Sequence, residues 1–352
     1  NAFFPTGILA TNSELSLRYP NNNFRLQYRW IGPGFNSLAN STIRKDVAGF
    51  TISDRLNFLS NRMYVTLGYE NLNDNVTGTR DATTNTNTYR TNVSWYPVDR
   101  SLPRVSAGLR YRTRDNGVER QNFLLSDDLV NAAVQNIRQE QRNINGQDTL
   151  IILSTATPRS NYSVNINTSI TQQFSLMNAR NDISLSYTNL NTTDEVFAYG
   201  DIASSAFSLS LNSRFSDLPL ETQFGFTYNN TEAGSGLNKI NIFGMYAGGN
   251  FRMMEDKLTV NGRLAITQNK TENRMLLIRD NPNSDELNDN VYDDYFILGD
   301  DITKSTFSTF VIQAGARYNF NEYHALVFDS NLTNVSGRAN DRIVQLRYVF
   351  SF

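Results

Sequence analysis

The sequence predicts an all-β fold: an antiparallel up-and-down barrel of about sixteen strands, fourteen being the alternative count, that crosses a membrane with its strands. Two observations carry this. Segment after segment sets apolar residues at every second position with polar ones between, the period of an extended chain whose two faces differ. The connections then alternate between tight and generous, as in transmembrane barrels with short turns at one end and long loops at the other.

Leu15, Leu17 and Tyr19 oppose Glu14, Ser16 and Arg18. After a turn from Pro20 to Asn22, Phe24, Leu26, Tyr28 and Trp30 oppose Arg25, Gln27 and Arg29. Gly32-Pro33-Gly34 breaks the run, as glycine and proline do. Phe50, Ile52, Leu56 and Phe58 then oppose Thr51, Ser53, Arg55 and Asn57, while Asp54 falls on the apolar side and predicts a bulge. Beyond Ser60-Asn61, Met63, Val65, Leu67 and Tyr69 form the next row, followed by Tyr89, Val93 and Trp95. Val105, Ala107, Leu109 and Tyr111 oppose Arg104, Arg110, Arg112 and Arg114, the most basic strand of the chain.

A long insertion is expected over residues 116–155. Within it, Ser126-Asp127-Asp128 ahead of Leu129, Val130, Ala133, Val134 and Ile137 predicts a short capped helix, folded into the lumen or standing outside for a partner. Strands resume with Tyr162, Val164, Ile166 and Ile170, then Ile183 to Tyr187, Phe207 to Leu211, and Phe224 to Tyr228. Phe243, Met245 and Phe251 belong to a strand whose Gly244, Gly248 and Gly249 suit barrel curvature or close packing on an aromatic ring. Leu258 to Ile266 leads to a second insertion, 271–304, followed by Phe310 to Phe320, then Leu326 and Phe328, and a terminal strand. That makes about fifteen; a first strand within Phe3 to Ala10 would make sixteen, at ~22 residues per strand and connection, enough for the ~9–11 that span a bilayer.

Composition agrees. Of 352 residues, 39% are hydrophobic and 19% charged, while 22 Phe and 17 Tyr suit an aromatic exterior. The mean hydropathy of −0.44 is compatible with strands that touch lipid at alternate positions only. No apolar run approaches the ~18 residues of a membrane helix. A formal net charge of −2 gives no basic footprint for nucleic acid, and the absence of cysteine is compatible with a periplasmic or surface location. Residues 1–352 read as one domain; since the chain opens at Asn1, it is read as processed or trimmed, leaving room for an upstream region.

The last stretch, Asp341 to Phe352, alternates Val344, Leu346, Tyr348, Phe350 and Phe352 with Asp341, Ile343, Gln345, Arg347 and Ser351. A chain ending on such a strand resembles the outer-membrane β-barrel proteins of Gram-negative bacteria. Gln345, Phe350 and Phe352 match that family's terminal signal, and Arg347 departs from its usual glycine. The stretch Tyr28-Arg29-Trp30-Ile31-Gly32-Pro33-Gly34-Phe35, with Ser37-Leu38, Asp46 and the run Glu70 to Asn75, is similar to uncharacterised barrels of Bacteroidota type. TonB-dependent transporters, with larger barrels and an amino-terminal plug, are less similar. The resemblance implies a porin-like protein of the bacterial outer membrane with periplasmic turns and extracellular loops. It also implies lipid and lipopolysaccharide as surroundings, recognition of the C-terminal strand by the barrel-assembly machinery, and a homo-oligomer or envelope complex.

With the apolar rows toward lipid, the alternate positions line the lumen. These are Arg25 and Arg29, then Arg55, Arg62 and Arg90, then Arg104, Arg110, Arg112 and Arg114, and finally Arg252, Arg263, Arg317 and Arg347. Arg18 and Arg214 share the register, and carboxylates are fewer: Glu14, Glu70, Asp182, Glu221, Asp329 and Asp341. Arginine excess in a low-dielectric wall favours anions, which predicts an anion-preferring channel for small polar solutes. The alternative is a filled, non-conducting lumen in a barrel that anchors a larger envelope assembly. Asp285, Glu286, Asp289, Asp293 and Asp294 make the second insertion acidic; without EF-hand spacing they are weak Ca²⁺ candidates beside the plain reading of a solvated loop. The sole histidine, His324, falls on the lipid register, and no GxSxG motif accompanies it, so no enzyme is expected.

Overall fold

The computed structural model describes residues 6–36, 44–99, 101–118, 139–144, 147–152, 156–196, 200–278, 296–321, 323–337 and 340–350. Fifteen strands form one antiparallel sheet in chain order, and two more form a separate hairpin. The first half of the sheet holds β1 (Ala10–Tyr19), β2 (Asn22–Ile31), β3 (Val47–Phe58), β4 (Met63–Asp74), β5 (Asn85–Trp95) and β6 (Arg104–Asp115). β7 (Gln139–Ile144) and β8 (Gln147–Ile152) make the hairpin, inserted before β9 (Ser160–Leu176) pairs with β6. Then follow β10 (Ala179–Asp194), β11 (Ile202–Phe215), β12 (Leu220–Ala233), β13 (Asn238–Met253), β14 (Leu258–Ile278), β15 (Phe296–Asn319), β16 (His324–Val335) and β17 (Asp341–Phe350).

Every sequence-predicted row lands on a strand, and the registers keep the two faces separate across the sheet. Opposite residues in an antiparallel pair point the same way. Leu26↔Ile52↔Tyr69↔Tyr89↔Tyr111 therefore share one face, and Arg25↔Ser53↔Gly68↔Arg90↔Arg110 the other. Tight turns gather at one end, including Pro20-Asn21 and Met177-Asn178, whose positive φ of 54° and 55° suits a two-residue hairpin. The wider connections gather at the other end, although the one between β12 and β13 is only Gly234–Leu237.

Three expectations are corrected, and a fourth falls on residues that are not described. Among the described residues of the stretch Phe3 to Ala10 there is no separate strand: Thr6–Ile8 is a 3-10 turn and Ala10 already opens β1. The register of β3 runs unbroken from Val47 to Phe58, so Asp54 causes no bulge; it stays on the apolar face and accepts a hydrogen bond from Asn22 Nδ2 at 3.3 Å. The described parts of the second insertion, 271–278 and 296–304, are strand, because β14 and β15 stay paired from Leu258↔Tyr318 out to Ile278↔Phe296 with one register shift between Arg274 and Leu276. The helix expected over Ser126 to Ile137 lies outside the described residues.

Among the described residues, β1 pairs only with β2, and β17 only with β16, so the sheet has two open edges.

Glycine sets two local contacts. Gly49 has φ of 156°, and an added Cβ would stand 1.9 Å from the Asn71 carbonyl oxygen, so no side chain fits between β3 and β4 there. At Gly225 the ring of Tyr246 lies where a Cβ would be, and Arg263 stacks on that ring at 4.5 Å from its centre. This is an aromatic ring covering a glycine on β12, whereas Gly244, Gly248 and Gly249 lie against Thr227, Gly262 and Glu221 and not against a ring.

Gly49→Ala is expected to cost on the order of 2 kcal/mol or more, from a strained φ and a backbone clash. Gly68→Ala, whose new methyl would meet Arg90 Cβ at an ordinary 3.6 Å, is the control. Urea unfolding in detergent micelles reads both; equal midpoints would refute the close approach at Gly49.

Candidate functional site

The apolar face comes first, because it orients the other. Its outward rows stop together. On β11 they run from Phe207 to Phe215, on β13 from Phe243 to Phe251, on β14 from Leu258 to Ile266 and on β15 from Phe310 to Tyr318. Each run matches the ~9–11 residues a tilted strand needs to cross hydrocarbon. At their loop-end limit lies an aromatic belt: Phe50–Tyr69 at 5.6 Å between ring centres, Tyr69–Tyr89 at 5.0 Å and Tyr89–Tyr111 at 6.3 Å. It continues in register as Tyr187↔Phe207↔Tyr228↔Phe243.

Belt tyrosines send their polar tips outward from the band. The Tyr69 hydroxyl donates to Asn87 Oδ1 at 2.9 Å. Just past the belt, on the same face, Lys239 pairs with Glu232 at 3.1 Å and Lys304 with Glu272 at 3.3 Å. At this loop-end limit charged pairs begin where the greasy band ends, as at a headgroup boundary, while Asp54 is a charge within the band on β3. The wall is built to cross a membrane.

The polar face therefore looks inward, and it carries the arginines in two zones. One follows the turn end. Arg18, Arg55, Arg104, Arg180, Arg214, Arg252, Arg317 and Arg347 lie there on eight strands of the same face. Glu221 receives Arg214 Nε at 3.0 Å and Arg252 Nη2 at 2.6 Å, and Asp329 receives Arg347 Nη2 at 2.5 Å. Arg55 stacks over Tyr64 at 4.5 Å, Arg180 donates to Gln173 Oε1 at 2.9 Å and Arg317 to Asn319 Oδ1 at 2.9 Å. A shallow cavity of about 280 Å³ opens between Arg180, Asp182, Arg214, Glu221, Gln223 and Asn250.

The second zone lies toward the loop end of β2 to β6. Arg110, Arg112 and Arg114 take alternate positions along β6, facing Arg90, Thr88 and Thr86 across the β5 register. Glu70 stands among them, 3.7 Å from Arg29 Nη2 and 3.5 Å from Arg90 Nη2, and Thr51 Oγ1 donates to it at 3.4 Å. Arg25 pairs with Glu14 at 3.1 Å. Thr86 and Thr88 are only 2% and 1% exposed, so this patch of wall is roofed by longer side chains. Arg44, from the β2–β3 connection, and Arg159, ahead of β9, lie close enough to repel the Arg112 and Arg114 guanidiniums.

At the same end, Ile31, Val47 and Leu72 form a small apolar cluster on the polar face, with Phe35 packed on it. The Gly32-Pro33-Gly34 break turns the chain so that Phe35 folds back. Gly32 N donates to Leu9 O at 2.9 Å and Gly34 N to Gly7 O at 2.7 Å.

Of the predicted lining, Arg62 is corrected: it belongs to the turn between β3 and β4 rather than to the wall. The other twelve lie on strands and share the polar face. Sequence reasoning missed Arg180 because β10 begins directly after the two-residue turn, ahead of the apolar row from Ile183. It missed Arg44 and Arg159 because neither is on a strand. His324 does face outward, its ring 4.8 Å from that of Phe350 and hydrogen-bonded to the Tyr348 hydroxyl. The acidic candidates Asp285, Glu286, Asp289, Asp293 and Asp294 lie outside the described residues. Among the described residues, no three His, Cys, Asp or Glu side chains converge as metal ligands.

No family model and no curated protein sequence matches the chain. Among solved structures it is similar to the ferric-catecholate import receptor Fiu from E. coli K12, with 8% identity and a TM-score of 0.48, over 93% of this chain and 62% of that one. The siderophore receptor PirA from Acinetobacter baumannii gives 9% identity and a TM-score of 0.44, over 97% of this chain and 55% of the receptor. OmpT, an outer membrane protein of Vibrio cholerae, matches as a loop L8 deletion mutant at 8% identity and a TM-score of 0.35, over 97% of both chains. The chain thus spans less than two thirds of the length of Fiu and of PirA.

Glu70→Gln leaves Arg29 and Arg90 without their shared counter-charge in a partly buried site. The expected loss is about 1–3 kcal/mol, read from urea unfolding at neutral pH. A change below ~0.5 kcal/mol would show the two contacts to be no better than solvated surface pairs.

Proposed function

We propose that this wall lines a water-filled lumen of the outer membrane through which small polar solutes, anions in preference, diffuse. The observation that carries the reading is the loop-end zone, where Arg29, Arg90, Arg110, Arg112 and Arg114 share one face, with Glu70 beside Arg29, Arg90 and Arg112 and Asp74 beside Arg114. A guanidinium row beside low-dielectric walls lowers the local free energy of anions and raises that of cations. Among the described residues the row is not part of a closed ion-pair network, which supports passage over mere filling. On this reading the protein works by electrostatics and pore width and catalyses no reaction. Its outer partners are lipid and lipopolysaccharide, and the barrel-assembly machinery reads β17.

A second reading rests on a different observation. β14 and β15 stay paired past the Lys304–Glu272 contact, beyond the apolar band, and present strand to the exterior. Such a projection suits a barrel that anchors a surface assembly without conducting.

Planar bilayer recording of the purified full-length protein distinguishes the two. The expected result is a conductance whose reversal potential under a KCl gradient shows anion preference. Replacing Arg110, Arg112 and Arg114 together by Gln should lower the anion-to-cation permeability ratio several-fold. Cation preference in the unaltered protein, or no conductance at all, rejects the channel and leaves the anchor.

A further inference from the structure

The sheet's two open edges cannot meet in the usual way. In an up-and-down sheet, neighbouring strands alternate in direction, so an odd number leaves the first and the last parallel. β1 runs from the loop end at Ala10 to the turn end at Tyr19, and β17 runs from the loop end at Asp341 to the turn end at Phe350. Both edges descend. Each also belongs to the lipid-crossing part of the wall, since Leu15, Leu17, Val344, Leu346 and Tyr348 sit on its apolar face.

An edge strand directs the N–H and C=O of alternate residues away from its one neighbour, and for ten-residue strands such as these that is roughly five residues each. In hydrocarbon each unmet group costs several kcal/mol, so neither edge can face lipid. A second copy of this sheet cannot supply the antiparallel neighbour that each inner strand has on both sides. Copies inserted with the same orientation have descending edges only, so any seam between them is parallel.

We propose that an odd number of further two-faced antiparallel strands, from polypeptide preceding β1 in the same chain, joins β1 to β17 and closes the barrel. The place where the chain reaches β1 supports this source. Thr6–Ile8 turns at the loop end, tied there by the Gly34–Gly7 and Gly32–Leu9 hydrogen bonds, beside the open edge. A strand arriving at that turn from upstream ascends, which is the direction β1 needs in a partner. Closure by one added strand gives sixteen, and each further pair widens the lumen onto which the arginines face.

The inference stands apart from the channel reading, and so does its test, which reads neighbours and no conductance. A photo-cross-linking amino acid is placed at Ser16, on the polar face of β1, in the full-length protein in its native outer membrane, and adducts are mapped by mass spectrometry. Adducts to residues upstream of Asn1, beside those to β2, are the expected result. Adducts to β17 of the same or another copy, adducts to a different polypeptide, or β2 adducts alone each overturn the proposal.

Cysteine pairs give an independent reading, aided by the absence of cysteine from these 352 residues. Ser16→Cys with Arg25→Cys, direct neighbours across β1 and β2, should form a disulfide on oxidation. Ser16→Cys combined with Ile343→Cys, Gln345→Cys or Val349→Cys should not, and a bond there would mean direct parallel closure.

Discussion

Hydrocarbon offers no hydrogen bonds, and that constraint orders everything else in this molecule. A backbone inside it must pair along both sides of every strand, and only side chains at every second position may then meet lipid. The fifteen-stranded sheet obeys the first demand at every strand but its two outermost ones. It obeys the second through registers that hold Leu26, Ile52, Tyr69, Tyr89 and Tyr111 on one face without a slip. A single-residue shift anywhere would turn a row of arginines into lipid, so register and membrane placement are one requirement.

The polar face shows how such a wall tolerates dense positive charge. Its arginines use three kinds of neighbour. Carboxylates are shared, as Glu221 is by Arg214 and Arg252; rings accept stacking, as Tyr64 does beneath Arg55; and amides accept single bonds, as Gln173 does from Arg180. These contacts hold the guanidinium planes against the wall while leaving an excess of positive charge. The excess is greatest where β6 places three arginines in a row with Glu70 and Asp74 as the compensating groups. Neutralisation by matched acids would have been the cheaper way to fill a lumen, and the wall does not take it there.

Much of this was legible in the sequence, since period-two alternation needs no knowledge of partners. The face of each strand, the outward position of His324 and the shared side of twelve lining arginines all follow from it. What escaped depended on something other than period. Asp54 breaks the alternation, yet its neighbours hold the register and Asn22 supplies a donor, so the strand does not yield. The stretch from Thr271 to Lys304 is rich in acidic side chains and reads as a loop. Its described parts, 271–278 and 296–304, nonetheless pair as strand, because the hydrogen-bond ladder propagates past the apolar band. The β7–β8 hairpin lies within a stretch that suggested only a helix and irregular loop, because local polar composition carries no face signal.

Strand parity was the harder quantity, because it belongs to the whole sheet and a single miscounted turn changes it. With a 3-10 turn where a sixteenth strand would have stood, the sheet descends at both ends. That bears on the polar face as well. The field of an arginine row falls off over a distance comparable to the Debye length, ~8–10 Å at physiological salt. In a barrel closed by a single strand, the β6 row would stand nearer the opposite wall and its field would reach more of the lumen. In a barrel widened by several strands, the same residues would act only on solutes that pass close to β2–β6. On the channel reading, the number of strands that join β1 to β17 would set how far the guanidinium field selects among solutes, and the side chains of β6 would not set it alone.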